Sequence, residues 1–79
     1  MTDDEILHRV QEIMADTFDL DDLEVTRDTS AADVEEWDSL SHIRLVVAIE
    51  RAFGIKFTNS EIEGLQNVGE LVDVIRSKI

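Results

Sequence analysis

Three stretches of this 79-residue chain repeat apolar residues every three or four positions, and a run of about twenty residues between the first two breaks that rhythm. A chain patterned this way is set to close a helical core and offers almost nothing from which to build a sheet. In the first stretch Thr2 and Glu5 have the spacing of a capping box, and Ile6, Leu7, Val10, Ile13 and Met14 follow at helical intervals. A helix from about residue 3 to 16 is predicted, with Asp4, Arg9, Glu12 and Asp16 toward water.

The second helix starts at Asp38 or Ser39, either of which can serve as N-cap, and runs to Phe53, with Gly54 as the stop. Ile43, Val46, Ile49 and Phe53 share one side and are expected in the core, flanked by His42. Leu40, Ser41, Arg44, Val47, Ala48 and Arg51 form a second, mixed stripe with the character of a contact surface. Thr58 and Glu61 open a short helical turn through Ser60-Glu61-Ile62. Asn67 and Glu70 repeat the capping pattern before Val68, Leu71, Val72, Val74, Ile75 and Ile79, which predicts a last helix over 68–78. Strand signals are confined to Ile55-Lys56-Phe57, and no proline divides the chain. The expected fold is all-α: a small four-helix bundle of three main helices and one short one, with a long loop between helices 1 and 2 and residues 1–79 in one domain.

That loop, Thr17 to Trp37, alternates acids with Phe18, Leu20, Leu23, Val25 and Val34. Regular apolar anchors of this kind suggest an ordered loop pinned across the bundle rather than a disordered one. Asp19, Asp21, Asp22 and Glu24 lack the glycine-centred spacing of a calcium loop, so a solvated acidic face is expected and no metal site.

Size and charge narrow the role. So short a chain has too little interior for both a deep substrate cavity and a rigid catalytic constellation, which favours binding or carrying over catalysis. The net charge is −12: residues 1–39 hold fourteen acids against Arg9 and Arg27, while residues 40–79 set five bases against five acids. That distribution argues against nucleic acid and anionic membranes and suits basic protein partners, steered electrostatically and weakened by salt. Cysteine is absent, so any thiol chemistry needs a prosthetic group. No segment nears the roughly 20 apolar residues of a membrane span. The start Met1-Thr2-Asp3-Asp4-Glu5 is acidic where a leader peptide is basic, and a cytoplasmic location is expected.

One hydroxyl stands out. Ser39 lies in Glu36-Trp37-Asp38-Ser39-Leu40-Ser41-His42-Ile43, where the acidic loop meets the second helix. Helix N-termini offer unpaired N–H groups and the positive end of the dipole, which would accommodate a phosphate esterified to Ser39. The plainer role for Ser39 is an N-cap. His42, three residues on, could activate Ser39 as a nucleophile, but nothing in the sequence supplies an oxyanion site or a substrate pocket. No enzyme activity is expected. Trp37, the only tryptophan, either packs the loop against the second helix or contacts partners.

Asp38-Ser39-Leu40, the long loop before it, Leu45-Val46-Val47-Ala48-Ile49-Glu50 and Phe53-Gly54-Ile55-Lys56-Phe57 together resemble the acyl carrier proteins, closely across residues 36–57 and as a helix plan throughout. The resemblance implies a 4′-phosphopantetheine arm on Ser39, transferred from coenzyme A by a phosphopantetheinyl transferase, with Asp38 and Leu40 contacted beside it. The arm ends in a thiol that holds acyl groups as thioesters, which explains how a chain without cysteine takes part in thioester chemistry. Glu35, Glu36, Trp37, Ser41, Arg44, Val47, Ala48, Glu50 and Arg51 are the expected contacts for enzymes that load and process acyl or aminoacyl groups, and a monomer is expected. Ser41, Arg44, Arg51 and Ala52 stand where carriers of general fatty-acid synthesis are commonly acidic, and Trp37 where many have a small residue. Both departures point to a specialised pathway. A fatty-acyl or polyketide-type chain is the first expectation for cargo, and an aminoacyl or peptidyl group the alternative. A long chain would need an expandable cleft lined by residues such as Ile43, Val46, Ile62 and Leu71. An unmodified acidic adaptor binding a basic protein through residues 16–38 is the rival from another class.

Overall fold

The computed structural model describes residues 1–79 and contains four helices: α1 (Asp3–Phe18), α2 (Ser39–Phe53), α3 (Asn59–Gly64) and α4 (Val68–Lys78). Three are long and one is short, as the periodicity predicts. No helix is long and apolar enough to cross a membrane.

The helix starts follow from local chemistry. Thr2 and Glu5 form a complete capping box, and Thr58 and Glu61 form another. Each satisfies two donors that the first turn leaves without partners. The carboxyls of Glu5 and Glu61 are held below the usual range chiefly by the backbone N–H groups of Thr2 and Thr58. At α4 the box is incomplete. Asn67 accepts from the Glu70 N–H at 2.8 Å, but the Glu70 carboxylate turns to the Gln66 N–H at 2.9 Å.

Helix α1 runs two residues beyond its predicted end. The stop is Asp19, in the left-handed region at φ 56°, and its short polar side chain tolerates a conformation usually given to glycine. Phe18 therefore enters the core from the helix rather than from the loop. At the end of α2, Gly54 at φ 67° does act as the predicted stop.

Packing joins Ile6, Val10, Ile13, Met14 and Phe18 of α1 to Leu45, Val46 and Ile49 of α2 and to Val68, Leu71, Val72 and Ile75 of α4. The core side of α2 differs from expectation. Leu45 is fully buried, whereas Ile43 is 51% exposed. Admitting Leu45 turns the buried stripe by roughly 45° about the helix axis, which carries Ile43 out to the opposite stripe. Phe53 is half-buried.

Residues 19–38 are an ordered strap. Val25, Val34 and Trp37 are buried, Leu20 and Leu23 pack against the core, and the Val25 N–H donates to Gln11 Oε1 at 2.9 Å. The strap's carbonyls also cap α4: Val68 and Gly69 N–H donate to Thr29 and Arg27 oxygens, both at 2.8 Å. Gly69 permits this approach, since a Cβ there would lie 2.9 Å from the Arg27 oxygen. Arg27 then reaches Asp73 through both carboxylate oxygens at 2.8 and 2.9 Å. Ile55-Lys56-Phe57 pairs with no strand; the Phe57 N–H is taken instead by the Glu50 carboxylate at 2.8 Å.

Candidate functional site at the start of α2

Asp38, not Ser39, caps α2. Its carboxylate accepts from the Ser41 N–H at 2.9 Å while its backbone stays extended. That bond is the main reason its carboxyl lies below the ordinary range; desolvation opposes it, and the Ser41 hydroxyl, the Leu40 N–H and the Arg44 charge add to the lowering. Ser39 is the first helical residue, is exposed, and its hydroxyl enters none of the side-chain hydrogen bonds of the fold. The plainer role considered for it is thus filled by its neighbour. The Asp38 carboxylate takes the Ser41 N–H, so that one first-turn donor is not open to a phosphate esterified to Ser39.

His42 cannot serve Ser39 as a base in this arrangement. Trp37 Nε1–H donates to its Nδ1 at 3.1 Å, and its Nε2 lies 3.1 Å from the Ile62 carbonyl oxygen. Both ring nitrogens are engaged elsewhere. Trp37 is 5% exposed and stacks obliquely near Phe18 and His42, with ring centroids 6.5 and 6.0 Å away. Of its two expected roles, packing of the strap against α2 agrees with this burial.

The remaining predicted contacts divide clearly. Leu40, Ile43 and Val47 are 66%, 51% and 40% exposed, an apolar stripe descending α2 from Ser39. Arg44 and Arg51 flank it, exposed and outside the ion pairs of the chain, which join Arg27 to Asp73, Arg76 to Asp3, Lys78 to Glu61 and His8 to Glu12. Glu35 and Glu36 are exposed at the end of the strap, and Ser41 and Ala48 are half-buried. Glu50 is half-buried and committed to Phe57, a structural duty that spacing alone did not reveal. Ile43 was expected inside; its exposure makes it part of the contact stripe.

A cleft of about 260 Å³ opens beside Asp38, lined by Ala31, Trp37, His42, Ile43, Ile62, Glu63 and Leu65. Ile43 and Ile62 line it as expected, while Val46 and Leu71 do not and are buried at 2% and 1% exposure.

An exposed, unbonded serine hydroxyl at the first turn of a helix, bordered by an apolar stripe and charges of both signs, is a place for another enzyme to act. Comparison with known proteins agrees. The family described as "Phosphopantetheine attachment site" matches residues 8–75, which defines the chain as a carrier of that prosthetic group. An acyl carrier protein of Petrotoga mobilis is 37% identical over 79 residues, covering all of this chain and 93% of the relative. One of Rubrobacter xylanophilus is 39% identical over 75 residues, covering 95% and 93%. The solution structure of the holo acyl carrier protein of Geobacter metallireducens superposes with a TM-score of 0.87 at 42% identity, covering 92% of this chain and 84% of that one. The acyl carrier protein of Enterococcus faecalis, noted for high thermal stability, superposes at 0.75 with 32% identity and full coverage of both chains. The chain belongs to the acyl carrier protein family. It is a carrier and not a catalyst, its cofactor is a covalent 4′-phosphopantetheine, and it works with a phosphopantetheinyl transferase and with synthetic and processing enzymes.

Proposed function

We propose that Ser39 bears the arm and that the carrier serves a specialised fatty-acid or polyketide-type pathway. The observation that carries the first half is the free hydroxyl. Because Asp38 caps α2, the Ser39 oxygen is exposed and makes no competing bond. In the transfer, that oxygen attacks the coenzyme A phosphorus next to pantetheine. The bond from this phosphorus to the nucleotide breaks, 3′,5′-ADP leaves, and the serine proton passes to a base on the transferase. When attached, the arm supplies the thiol that the chain lacks. Asp38 and Leu40 flank the reacting residue.

The second half rests on charge. Arg44 and Arg51 stand unpaired beside Leu40, Ile43 and Val47. A basic groove shaped for an acidic helix would repel them, so the clients of general fatty-acid synthesis are disfavoured and partners with some acidic character are selected. Glu35, Glu36 and Asp38 meet the opposite sign at the top of the helix. Ser41 and Ala48 complete the surface, and Trp37 supports it from within. A small, charge-steered interface associates fast and releases fast, which suits a monomeric cytoplasmic carrier visiting several enzymes. Aminoacyl cargo is the second reading, favoured by Asp38, His42 and Glu63 in the cleft wall, whose polarity suits an ammonium group better than a hydrocarbon.

Incubation with coenzyme A and a broad-specificity phosphopantetheinyl transferase, followed by intact mass, tests the attachment. The wild type gains one phosphopantetheinyl group and Ser39→Ala gains none. A wild type that stays unmodified leaves the acidic adaptor as the reading.

A further inference from the structure

His42 ties three parts of the fold together. Trp37 at the end of the strap donates to its Nδ1, and its Nε2 faces the carbonyl of Ile62 on α3, each across 3.1 Å. A carbonyl oxygen only accepts, so Nε2 carries the hydrogen and Nδ1 is the bare acceptor. One neutral tautomer satisfies both partners.

This relay crosses the wall of the cleft beside Ser39. Helix α3, the opposite wall, buries none of its residues. It is held to the bundle by the His42 bond, by the Lys78–Glu61 ion pair at 3.0 Å, and by partly buried Ile62 and Leu65. Val46 and Leu71 are buried in the core and do not line the cleft. A group on the arm can rest in the depression of about 260 Å³, but going deeper requires α3 to part from α2. That movement strips the Ile62 carbonyl from His42. If the ring swings with α3 instead, the Trp37 N–H loses its acceptor in a nearly water-free place.

We infer that His42, through its bonds to Trp37 and Ile62, limits how much of the cargo this carrier shelters: the first few carbons lie in the cleft, and the rest of a longer chain rides outside the fold. The inference rests on the carrier reading above and names a cargo-determining residue for it. Asp38 and Glu63 at the same cleft reinforce the limit, since carboxylates on the wall disfavour hydrocarbon.

Butanoyl, octanoyl and dodecanoyl arms are installed from the corresponding coenzyme A thioesters with the transferase, and intact mass confirms each product first. The rate of thioester cleavage by hydroxylamine and the indole N–H resonance of Trp37 are then measured. In the wild type, protection stops rising after butanoyl, and the indole signal keeps its place across the series. In His42→Val protection climbs with length, each additional buried methylene shifting the in-to-out ratio about fourfold. His42→Gln, which keeps one donor and one acceptor, restores the plateau. Progressive protection in the wild type overturns the inference, as does a plateau in His42→Val. If His42→Val does not fold, the wild-type series decides alone. Failure to gain any acyl-pantetheine mass instead removes the carrier reading itself, a result read before any acyl length is compared.

Discussion

Three glycines give the same substitution three different surroundings, and alanine at each reads a different part of the fold. At Gly69 a new Cβ would stand 2.9 Å from the Arg27 oxygen and 3.1 Å from the Arg27 Cβ. Crowding of this kind costs about 1–3 kcal/mol. The strap must recoil, which weakens the 2.8 Å bond from the Gly69 N–H to Arg27, a further loss of about 1 kcal/mol. Alanine's helix preference returns about 1 kcal/mol. The net loss is about 1–3 kcal/mol, or a melting temperature lower by about 6–18 °C in a domain this small. Gly64 has nothing within 4 Å of its Cβ direction and no positive φ, so Gly64→Ala should gain about 0.4–1 kcal/mol. Gly54 also has open space, but its φ of +67° makes alanine cost about 1–2 kcal/mol. Thermal unfolding followed by far-ultraviolet circular dichroism measures all three. A Gly69→Ala protein as stable as Gly64→Ala would refute the close seating of the strap on α4.

Charge reversal in Arg44→Glu/Arg51→Glu removes the two unpaired cations of α2; folding stability stays within about 0.5 kcal/mol, while acylation by general fatty-acid synthesis enzymes at low salt rises about tenfold or more. An unchanged rate would mean that these arginines do not discriminate among partners. Asp38 has a lowered folded-state value, so its stabilisation is full above the unfolded value of 3.8 and disappears as pH falls through the folded one. Asparagine caps without a charge, so the wild type should lose more melting temperature than Asp38→Asn between about pH 5 and 2; parallel curves would contradict the sign. Asp19, Asp21, Asp22 and Glu24 belong to none of the ion pairs, so moderate salt or millimolar divalent cation should raise the melting temperature by screening their repulsion, and a flat or falling response would count against it.

Local chemistry was legible and non-local chemistry was not. Thr2 with Glu5, Thr58 with Glu61, and Gly54 each act within one turn, and each behaves as its spacing predicts. Asp19 ended α1 without a glycine, an option that the sequence offers at many acidic positions. The two stripes of α2 compete closely, and which one is buried depends on how α1 meets Leu45; Ile43 was lost to that ambiguity. Gly69 looked like an ordinary helix residue because its neighbour, Arg27, lies 42 positions earlier in the chain. At the site, Ser39 was found from its motif, and so was the choice of Asp38 or Ser39 as cap. The His42 bond to Ile62 spans twenty residues, and no pattern along the chain records it.

The central claim is that the exposed hydroxyl of Ser39 receives the prosthetic arm. Fragment mass spectrometry of the protein after reaction with coenzyme A and transferase tests it most directly. The account predicts one phosphopantetheinyl group, located on Ser39 and absent from Ser39→Ala. The same group on Ser41, or on any other serine or threonine, would contradict it.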